Sequence, residues 1–142
     1  MKSRAGPKIK KTPLLLVLWI VSSFSMTALG GHEETWIDVI SADRLKNLLD
    51  HGVKLSLVDL RPAQEFQVSS LPGARSVPST EFARRFNEIP RTERVVLYCA
   101  CQENELTDKV SFLKAQGYRN ISVMLERYPE WVKRGYPVHT RQ

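Results

Sequence analysis

The strongest constraint on the fold of this 142-residue chain is the pattern beyond residue 35, where short β-rich runs alternate with amphipathic helical segments. Parallel strands need a crossover, usually helical, to bring the chain back, so this alternation predicts an α/β domain with a mostly parallel sheet. The first helix is marked by Ser41 as N-cap, by Leu45, Leu48 and Leu49 on one face, and by Gly52 as its stop. Leu55–Leu60 reads as a buried strand that ends at Arg61-Pro62, where a short helical turn through Glu65 and Phe66 can open. Leu71-Pro-Gly-Ala74 is turn chemistry. A short run at Ser76-Val77 follows, then a predicted helix from about Ser79 to Glu88 with Phe82, Phe86 and Ile89 inward. Arg94–Tyr98 is the clearest strand, β-branched and aromatic, and it stops at Cys99. A loop leads to a helix from near Glu105 to Gln116, with Leu106, Val110 and Leu113 on one face and Gly117 closing it. Arg119–Met124 predicts another strand, and Tyr128–Gly135 a last short helix that packs Trp131 on the body.

The formal net charge of +6 is a property of the N-terminus. Lys2, Arg4, Lys8, Lys10 and Lys11 precede the apolar run from Leu14, whereas residues 31 onward carry sixteen basic and fifteen acidic groups with no basic block. Nucleic-acid binding is therefore not expected. The basic stretch, the apolar Leu14–Val21 and the weaker Ser22–Gly30, with small residues at Ala28 and Gly30, match a secretory signal. From Leu14 to Leu29 the run is shorter than the roughly 20 residues of a comfortable membrane span. The sequence thus predicts residues 1–30 as a signal peptide or N-terminal membrane anchor and residues 31–142 as the folded domain. The domain is expected outside the cytoplasm, periplasmic or held at the inner membrane if the segment is not cleaved. Membrane contact is expected only in that uncleaved case.

Cys99 and Cys101 are the only cysteines, one residue apart, which indicates local chemistry and not long-range stapling. A cysteine directly after a buried parallel strand and just before a helix falls in the crevice at the carboxyl ends of the strands, where α/β proteins bind ligands. Loop amides and the helix N-terminus there favour the thiolate, the nucleophilic form. Such a sulfur can accept a sulfane sulfur as a persulfide and pass it on. Two sulfurs at this spacing supply half a tetrahedral metal shell, and His32, His51 and His139 have no spacing that completes it. No metal and no cofactor is expected.

Several landmarks occur together in one order: Val58-Asp-Leu-Arg61, Glu65-Phe66, Leu71-Pro-Gly-Ala74, Val95-Val-Leu-Tyr-Cys99, Gly117-Tyr118, Trp131 and Gly135-Tyr-Pro-Val138. Over nearly all of residues 36–138 the chain resembles the rhodanese-like domain family. The resemblance implies a three-layer sandwich, a central mostly parallel sheet flanked by helices, with a persulfide-forming loop at Cys99. The departures bear on function. Family members active on thiosulfate usually carry a loop rich in glycine and often containing arginine, which suits an anionic donor. Here the loop reads Cys99-Ala100-Cys101-Gln102-Glu103-Asn104-Glu105, with two carboxylates and neither glycine nor arginine. Those charges oppose both a thiolate and a dianionic donor. Ser70 stands where the family has histidine, and Glu126-Arg127 stand for a Gly-Gly pair, a change able to reshape the backbone beside the loop.

The candidate site is therefore Cys99 as nucleophile, Cys101 as resolving thiol, spectator or half of a labile disulfide, and Ala100, Gln102, Glu103 and Asn104 as the active-site loop. Asp59 and Arg61 are expected to anchor loops as structural supports. Glu105 is expected to complement the dipole of the following helix. Three functions stay open. The preferred one is a sulfurtransferase forming a persulfide on Cys99 with a donor other than free thiosulfate. The others are a thiol–disulfide redox protein using Cys99 and Cys101, and a catalytically inactive rhodanese-fold binding module. The expected partners are a small sulfur donor or a thiol acceptor, a protein thiol included.

Overall fold

The computed structural model describes residues 36–141. Five parallel strands form the central sheet: β1 (Asp38–Ile40), β2 (Ser56–Asp59), β4 (Arg75–Ser76), β5 (Val95–Tyr98) and β6 (Ile121–Met124). Their spatial order is β1-β6-β5-β2-β4. A separate antiparallel pair joins β3 (Ser69–Ser70) to β7 (His139–Thr140). The helices are α1 (Ala42–Asp50), α2 (Ala63–Val68), α3 (Phe82–Arg85), α4 (Glu103–Ala115) and α5 (Tyr128–Lys133).

The central strands are buried on both faces, which is why β5 reads as a continuous apolar run and β6 is apolar but for Ser122, whose buried hydroxyl donates to Asp38. Period-two alternation still sorts their side chains between two layers. Val95, Leu97 and Cys99 join Val58, Val123, Phe82 of α3, and Leu106, Val110 and Leu113 of α4 in one core. Val96 and Tyr98 join Leu57, Met124, Leu45 of α1 and Trp131 of α5 in the other. The molecule is an α/β three-layer sandwich with a mostly parallel sheet, as the alternation of runs and helices predicts.

Local signals explain most boundaries. The Ser41 side chain accepts the Arg44 N–H at 3.2 Å and starts α1. Gly52 at φ +68° and Gly117 at φ +88° end α1 and α4 in the left-handed region that glycine tolerates. Two helices differ from the sequence prediction. The helix expected over 79–88 shrinks to α3 followed by a 3₁₀ turn, Phe86–Glu88. At its start the Ser79 N–H is taken by Leu60 O at 3.0 Å, pairing the chain to the sheet edge. At its end the Tyr118 hydroxyl donates to Phe86 O and Ile89 O, each at 2.9 Å, and Pro90 follows. Helix α4 begins at Glu103 and not near Glu105, because Gln102 already holds the extended cap conformation and Asn104 Oδ1 accepts the Glu105 N–H at 3.0 Å.

The expected membrane placement is corrected. Among the described residues no helix is long and apolar enough to cross a membrane. Leu14–Gly30, on which the signal-peptide, anchor and periplasmic expectations rested, lies outside the described residues.

Candidate active site

Strand β5 delivers Cys99 to the carboxyl end of the sheet, and only Ala100–Gln102 separate it from α4. Cys99 is 3% exposed, facing the α3–α4 layer, while Cys101 is partly exposed. The two sulfurs are bonded to each other as a disulfide, with their Cα atoms 5.3 Å apart. The Cys101 backbone N–H also points at Cys99 Sγ, 2.7 Å away. The geometry thus holds a closed two-sulfur ring where a single free nucleophile was the preferred expectation.

Both cysteines open on a cleft of about 320 Å³. Its apolar walls come from Ile37 and Val39 beside and on β1, Val123 and Leu125 at the end of β6, and Leu106 of α4. Gln102, Glu103, Thr107, Glu126 and Arg127 add polar groups. Of the loop residues read from sequence, Gln102 and Glu103 line the cleft with the two cysteines. Ala100 and Asn104 do not, and Asn104 Oδ1 instead accepts the Glu105 N–H within the first turn of α4. Glu103 and Glu105 both fall in that turn, where the positive end of the helix dipole offsets carboxylate charge.

The segment after β6 is the part of the site that local sequence patterns did not assign. Glu126 and Arg127 replace a glycine pair without backbone strain: no non-glycine residue among those described has positive φ, and Arg127 sits at φ −72°. Glu126 is turned away toward α1. Its carboxylate accepts the Ala42 N–H at 2.6 Å and contacts Arg134 at 3.0 Å. The chain then returns to the cysteine loop, where the Tyr128 N–H donates to Cys99 O at 2.9 Å.

Asp59 and Arg61 lie at the end of β2, outside the cleft, as a buried ion pair with 0% and 4% exposure. Arg61 Nε donates to Asp59 at 3.0 and 3.1 Å and Nη2 at 2.6 Å, and Nη2 also reaches Ser69 O at 2.7 Å. Burial pushes against the charged guanidinium, but the Asp59 hydrogen bonds and charge prevail and its pKa is raised. The guanidinium lies 3.5 Å from the centroid of the Tyr128 ring, so the pair braces the residue whose backbone holds Cys99 O. Tyr98, on the strand leading to Cys99, accepts the Leu71 N–H on its hydroxyl oxygen at 3.2 Å, and burial raises its phenol pKa.

Similarity to known proteins agrees with this arrangement. The rhodanese-like domain family matches residues 41–134. The putative sulfur carrier protein YrkF of Bacillus subtilis is 23% identical over 96 residues, covering 67% of this chain and 51% of its own, so the chain spans about half of that relative. A sulfurtransferase of Allochromatium vinosum is 26% identical over 102 residues, covering 72% of this chain and 94% of that protein. Among solved structures, a thiosulfate sulfurtransferase from Pseudomonas aeruginosa superposes with a TM-score of 0.62 at 25% identity, covering 75% of this chain and 21% of that one. With the sheet order, the two core layers and the cysteine loop all in place, the chain belongs to the rhodanese-like domain family.

Proposed function

We propose that this rhodanese-fold domain is a thiol–disulfide redox protein that uses the Cys99–Cys101 pair. The observation that carries the reading is the disulfide itself, closed across a single intervening residue at the mouth of the cleft. Exposure assigns the order of events. An incoming thiolate meets Cys101, because Cys99 is 3% exposed and Cys101 is not. Its sulfur bonds to Cys101 Sγ, the intramolecular S–S bond breaks, and Cys99 Sγ leaves as a thiolate. Negative charge then develops 2.7 Å from the Cys101 N–H and near the start of α4, which makes Cys99 the better leaving group. A second thiolate attacks the substrate sulfur of the mixed disulfide, releasing the substrate disulfide and leaving both protein thiols. Two substrate thiols are oxidised and one protein disulfide is reduced; the reverse sequence oxidises the protein.

A second reading, sulfurtransfer through a Cys99 persulfide, is supported by the same N–H directed at Cys99 Sγ and by the named sulfurtransferase relatives. On that reading the reduced Cys99 thiolate attacks the sulfane sulfur of a donor, the bond joining that sulfur to the donor breaks, and the rest of the donor leaves with the electron pair. Cys101 then attacks Cys99 Sγ, expels hydrosulfide and closes the disulfide. Because Cys101 short-circuits the persulfide in this way, the pair suits redox exchange better than delivery of sulfur.

The two readings separate by intact mass of the reduced full-length protein after incubation with thiosulfate, mercaptopyruvate or polysulfide. The redox reading expects loss of two hydrogens in the wild type, requiring both cysteines, and no gain of sulfur on Cys99 in Cys101→Ser, where the resolving thiol is absent and a persulfide would persist. A stable gain of one sulfur on Cys99 in the wild type, with no disulfide formed, overturns it.

A further inference from the structure

The cleft beside the disulfide holds one cation whose charge its surroundings do not take up. Glu126 is already paired with Arg134 and with the Ala42 N–H. Glu103 sits in the first turn of the thirteen-residue α4, whose dipole offsets its charge. Arg127 is exposed, lines the same cleft as both cysteines, and forms no salt bridge among the described residues. The loop from Cys99 to Gln102 carries no basic residue, and Arg127 is the basic side chain among the described residues that line the cleft.

Resting on the redox reading above, we infer that Arg127 is a positioning residue that selects small thiols bearing an anionic group. The size of the cleft, about 320 Å³, lies at the small end of ligand pockets, which span roughly 300–1,000 Å³, and favours a low-molecular-weight thiol over a folded protein. Ile37, Val39 and Leu125 offer an apolar wall to the carbon body of such a molecule. Its carboxylate meets the Arg127 guanidinium while its sulfur attacks Cys101. Arg127 exchanges neither proton nor electron in the step; it raises the local concentration of anionic thiols and orients them.

The test measures the rate at which the oxidised full-length protein is reduced by 3-mercaptopropionate, 2-mercaptoethanol and cysteamine. These thiols differ in net charge, and comparing each rate between wild type and variant cancels its intrinsic reactivity. Arg127→Gln is expected to lower the 3-mercaptopropionate to cysteamine rate ratio by about fivefold, the scale of one exposed ion pair. Arg127→Lys is expected to keep most of the ratio, and raising the salt is expected to erode it in the wild type. A ratio unchanged in Arg127→Gln, while 2-mercaptoethanol still reduces the disulfide, overturns this inference and leaves the redox reading standing. Failure of all three thiols to reduce the wild-type disulfide overturns both.

Discussion

Removing the charge of Arg61 while keeping its length, as in Arg61→Met, isolates what the buried ion pair contributes to the scaffold. Arg61 is 4% exposed and Asp59 fully buried, so the substitution leaves a carboxylate in the interior without its counter-ion. It also strips three side-chain hydrogen bonds from Asp59, one from Ser69 O, and the guanidinium–Tyr128 stack at 3.5 Å. Breaking one side of a buried pair costs about 3–5 kcal/mol. For a domain near 100 residues that corresponds to a fall in Tm of about 12–20 °C, taking about 4 °C per kcal/mol. The penalty comes from the stranded charge and not from a large net gain of the pair, so Asp59→Leu combined with Arg61→Met is expected to recover at least about 2 kcal/mol relative to the single variant. Urea unfolding of the two variants and the wild type, all in the oxidised form, measures this. A loss below about 1 kcal/mol in Arg61→Met, or a double variant weaker than the single, would refute the reasoning, since the expected cost of the broken pair is several times larger.

Three other outcomes follow from the packing and the caps. Trp131 is fully buried between α5 and the sheet and donates its Nε1–H to Pro137 O at 2.9 Å, so Trp131→Ala is expected to cost about 3–5 kcal/mol in chemical denaturation. Ser41→Ala removes the acceptor for the Arg44 N–H at the start of α1 and is expected to cost about 1 kcal/mol by the same assay. The Asp43 carboxyl is held below the usual range by hydrogen bonds from Tyr136 and from Arg134, the latter at 2.5 Å. Its depressed pKa contributes stability that is present above about pH 4 and is lost as pH falls through the folded-state value, so thermal melts of Asp43→Asn are expected to flatten that acid limb.

Much of the scaffold was legible because its signals are local. The β-branched run Val95–Tyr98, the Ser41 cap and the Gly52 and Gly117 stops each act within a turn or a strand, and each has its structural counterpart. Strands β1, β3 and β7 went unread, being only two or three residues long and defined by distant partners: β1 by β6, and β3 by β7. The helix expected over 79–88 failed for a similar reason, since Leu60 and Tyr118, remote in sequence, claim its terminal backbone groups. At the site, Cys99, Cys101, Gln102 and Glu103 could be read from the loop that carries them. The opposite wall could not, because Ile37, Val39, Val123 and Leu125 come together only when β1 pairs with β6. The one advance sign of Arg127 was the Glu-Arg pair standing where the family has glycines.

The central claim, that Cys99 and Cys101 form a working redox pair, is tested most directly by a redox titration of the full-length protein. The chain is equilibrated over a range of reduced to oxidised dithiothreitol, alkylated, and its free thiols counted by mass. The account predicts one reversible transition between zero and two alkylated cysteines, with the two-electron slope of about 30 mV per decade, abolished by Cys101→Ser. Two thiols that stay alkylatable across the whole range, or a transition that survives Cys101→Ser, would contradict it.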